Sequence, residues 1–173
     1  SVGLEDSQPL ASRLTLVGGI SYDWRDALQA DDYNSKQGLH SYELADNDAL
    51  NGQFGLFQEV GSQGKAHATI ARKSRFPTIK DRYSYKLGTA IPNPELKTEH
   101  ANHYEIGYED VAAENWLWHG NLFYSRIQDL IQSNAIDPSA CTSPPCTQME
   151  NVGKSSREGV ELGEGLAKNI DAK

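Results

Sequence analysis

Residues 14–24 alternate in character almost without interruption. Leu14, Leu16, Gly18, Ile20, Tyr22 and Trp24 fall on one side of an extended strand, and Thr15, Val17, Gly19, Ser21 and Asp23 on the other. A period of two sends successive side chains to opposite faces of a sheet, so one face of this stretch is apolar. The apolar row ends in Tyr22 and Trp24 and is followed by Arg25 and Asp26. A strand crossing a bilayer finishes in this way, with amphipathic aromatics at headgroup level. A membrane barrel and a soluble sandwich with a half-buried strand both satisfy the pattern.

Mean hydropathy is −0.62, and no run approaches the roughly 18 apolar residues that a spanning helix needs. A helical membrane protein is excluded, but a barrel is not, because only alternate strand residues face lipid. Residues 1–6 have neither the basic start nor the apolar centre of a signal peptide, so the chain reads as cytoplasmic or as a piece of something longer. The net charge of −8 argues against nucleic acid as a partner, since backbone binding needs a basic face on the whole domain. Charge is unevenly placed. Residues 23–48 hold seven carboxylates against Arg25 and Lys36, whereas residues 65–86 hold seven Lys or Arg against Asp81.

The same period-two test predicts six strands, at 13–25, 53–60, 65–73, 99–109, 115–131 and 148–163. Connections at 61–64 and 110–114 are tight; those at 27–52, 74–97 and 132–147 are long and rich in Asn, Asp, Pro, Ser and Gly. Long loops count against a compact soluble domain, while alternating short turns and long loops are the habit of outer-membrane barrels, with the loops outside the cell. The expected fold is therefore all-β, consecutive antiparallel hairpins of a larger transmembrane β-barrel. Its first, third and fifth strands run outward. Leu14, Leu16, Ile20, Tyr22, Trp24, Tyr104, Ile106, Tyr108, Trp116, Trp118, Leu122 and Tyr124 are expected on the lipid side. Six strands fall short of the eight of the smallest such closure, and an open edge in hydrocarbon leaves backbone groups unpaired. The chain is expected to be an internal portion of a longer protein.

Several segments, in order, resemble the TonB-dependent outer-membrane receptors. The first is Ala71-Arg72-Lys73-Ser74-Arg75-Phe76-Pro77-Thr78-Ile79-Lys80-Asp81-Arg82-Tyr83. Then come Asn93-Pro94-Glu95-Leu96-Lys97-Thr98-Glu99, Tyr104-Glu105-Ile106-Gly107 and Leu122-Phe123-Tyr124-Ser125-Arg126-Ile127-Gln128-Asp129-Leu130-Ile131. Asn151-Val152-Gly153-Lys154 with Gly159-Val160-Glu161-Leu162 closes the series. Residues 1–60 match only in character. The resemblance implies a barrel of about 22 strands with a plugged lumen. Its location would be the outer membrane of a Gram-negative bacterium, and its task uptake of ferric siderophores, haem, cobalamin or, in some members, carbohydrates. The TonB system would supply energy through a plug domain. Residues 1–173 would then be barrel wall and loops only, with the plug and the closing C-terminal strand outside them. The alternatives are a soluble extracellular ligand-binding β domain and a truncated product without function.

Most of these motif residues suit a structural role; Pro77 and Pro94, for instance, restrict the residues before them and end a strand register. The candidate ligand-facing set is Arg75, Lys80, Arg82, Tyr83, Tyr85 and Lys86. Cations interleaved with aromatics can hold an anionic metal chelate by charge-assisted bonds and ring contacts, or can pair with acidic loops or lipopolysaccharide phosphates. If the ligand is an anionic iron chelate, replacing Arg75, Lys80 and Arg82 together with Ala is expected to weaken binding and flatten its dependence on salt while leaving the barrel folded and exported. Asp31, Asp32, Asp46 and Asp48 lack the spacing of a calcium loop and read as a solvated loop. His100 and His103 should lie on opposite faces and so share no metal, while His67 and His119 should face the lumen. Cys141 and Cys146 bracket a polar loop, which suits a disulfide in an oxidising compartment better than an isolated zinc half-site. No nucleophile and base constellation stands out, so neither an enzyme, a cofactor nor a metal centre is expected.

Overall fold

The structure, a computed structural model, describes residues 1–34, 38–112 and 116–166. Twelve strands occur along the described chain: β1 (Val2–Ala11), β2 (Leu14–Arg25), β3 (Asp31–Asn34), β4 (Gly38–Ser41), β5 (Asn47–Val60), β6 (Gly64–Arg75), β7 (Ala90–Ile91), β8 (Glu99–Ala112), β9 (Trp116–Gln128), β10 (Ile131–Ala135), β11 (Thr147–Asn151) and β12 (Lys154–Leu166). One short helix, α1 (Ile79–Tyr83), follows β6. Seven of the strands form one antiparallel sheet in the order β1-β2-β5-β6-β8-β9-β12, open at both edges. Consecutive hairpins thus build the wall, as the alternation of short and long connections leads one to expect. All long connections, 26–46, 76–98 and 129–153, leave from the same end of the sheet. The tight turn expected at 110–114 lies partly outside the described residues, as does Lys36.

The register settles which residues share a face, because directly paired residues point the same way. One row runs Leu16, Leu56, Ala68, Ile106, Leu122 and Val160 across six strands. The next rows put Ile20, Tyr22 and Trp24 on the same side, with Tyr104 against Tyr124 and Trp116 and Trp118 toward the short-turn end. All twelve residues expected to face lipid do share that side. Ile106 and Val160 are each 64% exposed, which no aqueous surface of this extent tolerates. On β2 the apolar row from Leu14 to Trp24 rises about 33 Å along the strand, or about 25 Å of height at the usual tilt, the thickness of a barrel's lipid band.

The differences from expectation have local causes. The wall has a seventh strand, β1, whose outward row Val2, Leu4, Asp6, Gln8 ends in two polar residues, with Pro9 and a register shift beside them. Asp6 and Gln8 bond each other at 2.6 Å. Two expected strands are interrupted near their outer ends: Asp129 adopts φ 55° between β9 and β10, and Gly153 adopts φ 49° between β11 and β12. A left-handed residue cannot continue a β ladder, and its neighbours leave the wall there. The ends meet again where the Asp129 N–H donates to the Gly153 carbonyl at 2.9 Å. Most of the buried residues lie in the loops, with Leu96 and Cys146 almost fully covered and Ile131, Ala90, Arg82 and Thr98 buried as well, while Asn47, Ala49 and Ile127 are buried at the loop ends of β5 and β9.

Candidate functional site

The three long connections form one platform above the wall. At the end of β6, Pro77 stops the strand and Thr78 caps α1. The Thr78 hydroxyl accepts the Asp81 N–H at 3.1 Å, and the Asp81 carboxylate accepts the Thr78 N–H at 3.0 Å, the reciprocal box of a helix start. Arg75 reaches Glu99 at 3.1 Å and Asp81 at 3.5 Å. Glu99 also accepts the Ile131 N–H at 3.1 Å, which joins the start of β8 to the third connection.

Arg82 is buried, and its guanidinium donates to the carbonyls of Ala45 and Leu96. This side chain therefore ties residues 26–46 to residues 76–98 and is not displayed to a ligand. The Tyr83 hydroxyl donates to the Glu43 carbonyl at 3.1 Å, and its ring lies 5.5 Å from that of Tyr42. In the third connection, β10 and β11 form a hairpin, and β11 runs parallel to β7. The Asn151 amide accepts the Lys97 N–H at 2.8 Å and donates to the carbonyls of Lys97 and Asp129 at 3.0 and 2.8 Å. Asn93 donates to the Met149 carbonyl at 2.9 Å. Cys141 and Cys146 are joined by a disulfide at the hairpin tip, with Cα atoms 5.4 Å apart. That tip rests on Gly88, whose carbonyl accepts the Ser143 N–H at 3.0 Å. Gly88 has φ 91°, and a Cβ there would collide with the Thr142 side chain.

What remains open is a hollow between the first two connections, bordered by Asp31, Asp32, Tyr42, Lys80, Tyr83, Tyr85 and Lys86. Of the six candidate residues, Lys80, Tyr83, Tyr85 and Lys86 come together at its rim, while Arg75 and Arg82 serve the framework beneath. Two lysines face two aspartates, so the hollow is mixed in charge. Hydrogen bonds from Gln29 and Ser41 hold the Asp31 carboxyl below its usual range, so it is ionised. Burial, with Asp32 and Tyr85 nearby, holds the Tyr42 phenol above its usual range, so it is neutral. His40 meets Tyr42 edge-on at 4.7 Å. Tyr42 is the aromatic rim residue that sequence reasoning missed, and His40 stands behind it. The alternation of Tyr33 with Asp32 and Asn34, and of His40 with Leu39 and Ser41, around a glycine at 38 is the signal that marks their hairpin.

The other candidates are scattered. Asp46 accepts the Ala27 N–H at 2.9 Å, and Asp48 lies opposite Trp24 in the wall. Among the described residues, no three His, Cys, Asp or Glu side chains gather as a metal site. His100 and His103 face opposite sides, bonded to Ser74 at 2.9 Å and Ser125 at 2.7 Å. His67 and His119 face inward, where His67 meets Glu105 at 3.0 Å. The inner wall is polar, with Lys65 on Glu109 at 3.4 Å and Gln53 on Glu5 at 3.1 Å.

Comparison with known proteins finds the same architecture. The FrpB iron transporter from Neisseria meningitidis (F3-3 variant) superposes with a TM-score of 0.70 at 21% identity, over 96% of this chain and 23% of that one. The siderophore receptor PirA from Pseudomonas aeruginosa gives 0.61 at 20% identity, over 92% and 26%. The Serratia marcescens hemophore receptor HasR, in complex with its hemophore HasA and heme, gives 0.63 at 16% identity, over 91% and 30%. The chain thus spans less than a third of each of these structures. No curated protein matches the chain by sequence. The family described as TonB dependent receptor-like, beta-barrel matches residues 1–169. With nearly the whole length matched, and a wall and platform of this register, the chain belongs to the TonB-dependent receptor β-barrel family.

Proposed function

We propose that this chain supplies part of the wall and of the external loop platform of an outer-membrane receptor. That receptor imports a scarce nutrient of the ferric siderophore, haem or cobalamin class with energy from the TonB system. The family is one of Gram-negative outer-membrane receptors and transporters rather than of enzymes. The observation that carries the reading is the pairing of an exposed apolar band with a loop platform lashed at one end, since a bilayer covers the first and a ligand arriving from outside meets the second. The open edges at β1 and β12 need further strands before the wall can span hydrocarbon. The plug and the remaining wall then belong to the rest of the receptor, and TonB acts through that plug.

On this reading, Lys80, Tyr83, Tyr85 and Lys86 contact an anionic chelate, with Arg75 and Arg82 holding the loops that carry them. Charge-assisted bonds and aromatic contact supply affinity, and the lysines steer capture at low salt. The test is uptake of a radiolabelled ferric chelate by cells whose receptor gene carries Lys80→Ala and Lys86→Ala. About a tenfold loss of low-salt affinity is expected from two solvent-exposed charged contacts, with outer-membrane export intact. Uptake unaffected by deleting the whole receptor would overturn the transport reading; unchanged affinity of the double variant would remove the rim from the binding surface.

A further inference from the structure

The hollow on the loop platform, of about 660 Å³, carries both signs of charge and keeps them apart. Asp31 and Asp32 border it from the β3–β4 hairpin, Lys80 from α1 and Lys86 from the segment that follows. Among the described residues, no ion pair joins either aspartate to Lys80, Lys86 or His40. The two carboxylates are unlike each other. Asp31 accepts hydrogen bonds from Gln29 and Ser41 and so serves the hairpin. Asp32 stands directly opposite His40, and the ladder continues to Ala30, whose carbonyl accepts the Tyr42 N–H at 2.8 Å. Residues two apart on a strand share a face, so Asp32, His40 and Tyr42 point the same way. The Tyr42 phenol is raised by burial and then by Asp32 and Tyr85, which stand beside it. Its ring lies 5.5 Å from that of Tyr83.

Tyrosine rings gathered beside a carboxylate form a cage for a protonated amine, because ring faces attract a cation and the carboxylate takes its N–H bonds. The lysines of the same hollow suit an anion. Lys86 and Leu87 both hold left-handed backbone, φ 46° and 56°, a conformation that costs residues with a Cβ and persists where the surroundings fix it. The Lys86 backbone is therefore set in place. Ile79 and Leu87 are exposed at this rim and offer apolar cover to an alkyl chain. We propose that the nutrient bound here is a metal chelate of mixed charge, anionic at its metal-binding oxygens and carrying a protonated amine on an alkyl arm. Asp32 accepts from the ammonium with Tyr42, Tyr83 and Tyr85 around it, Lys80 and Lys86 take the anionic oxygens, and Ile79 and Leu87 cover the arm. A chelate with negative charge alone would be repelled by Asp31 and Asp32, and the ammonium removes that repulsion. The inference rests on the chelate-uptake reading above and narrows it to one ligand class.

The test titrates the full receptor, in detergent at low salt, with synthetic ferric chelates of catecholate, hydroxamate and carboxylate type. Each core is made in two forms, one with a free alkyl amine and one with that amine acetylated. Acetylation removes the positive charge and leaves the iron coordination unchanged. On the core that binds, the free amine is expected to bind about tenfold more tightly than its acetylated twin, from one exposed ion pair and one cation–π contact. This comparison uses unmodified receptor and depends on no variant folding. Asp32→Asn is expected to abolish the preference without weakening the acetylated twin, and Tyr85→Leu to reduce it to about threefold; a change that merely disturbed the loops would weaken both twins alike. Equal affinity of the twins for unmodified receptor, or a preference that survives Asp32→Asn, would overturn the proposal. If the twins bind equally and Lys80→Ala with Lys86→Ala weakens both, only the ammonium site fails and the anionic-chelate reading stands. If no core binds in either form, both fail.

Discussion

Arg82 and Lys80 are two residues apart in a basic segment, yet they differ in every physical respect that matters. Lys80 is exposed, whereas Arg82 is 5% exposed and donates to two carbonyls from different loops. Removing a buried cation that satisfies two carbonyls costs about 3 kcal/mol, so Arg82→Ala should loosen both loops and speed their proteolysis. Lys80→Ala should change stability by no more than about 0.5 kcal/mol. Equal protease half-lives for the two variants would contradict this assignment. The difference was not legible in the sequence, because the receiving carbonyls lie 37 and 14 residues away from Arg82, and a run of cations reads locally as solvated. The expectation that replacing Arg75, Lys80 and Arg82 together spares the fold treats three unlike side chains as equivalent. Tyr42 offers a second check at this scale. Its phenol is held above the ordinary range, chiefly by burial, so its contribution is complete below the unfolded value, about 10, and is lost as pH rises through the folded value. The hollow should then loosen only in alkali, and the step seen by phenolate absorbance should vanish in Tyr42→Phe.

Elements that obey period two were legible, and those that bend were not. β2, β6, β8 and β9 could be read because each keeps one apolar face through most of its length. β1 escaped because Asp6, Gln8 and Pro9 spoil its alternation, although cross-strand pairing with β2 keeps it in the wall. The β10–β11 hairpin escaped for a different reason: it begins at the left-handed Asp129 and is held by Asn93, Asn151 and Gly88, contacts that no local pattern announces. Gly88 makes the best single test of that docking. A side chain there must adopt positive φ and displace Thr142, at a cost of about 1–2 kcal/mol. Gly88→Ala should free the disulfide-closed tip, so that proteolysis within residues 137–145 accelerates. Gly165→Ala, at an open wall position without positive φ, should change nothing. If both glycine variants are cut at the parental rate, the tip does not depend on its seat at Gly88.

At the scale of the whole molecule, the apolar band and the open edges pull in opposite directions. The band asks for lipid, but β1 and β12 would carry their outer backbone groups into it unpaired, at several kcal/mol for each group. Curling the seven strands to pair β1 with β12 would close a barrel smaller than the eight-stranded minimum, and the inner face already carries Phe57, His67, His103 and Phe123 pointing into that space. Residues 1–173 refolded alone into detergent micelles should therefore give no compact species that resists dodecyl sulfate without heating. The same residues within a complete receptor should migrate as a heat-modifiable band, with Leu122 and Val160 labelled by a membrane-soluble photoreactive probe. Adding a second polypeptide that carries the remaining strands should restore compactness to the isolated chain, because each open edge then finds its ladder. A heat-modifiable monomer formed by these residues alone would show that the wall closes on itself, and the reading of the chain as one portion of a larger barrel would have to be abandoned.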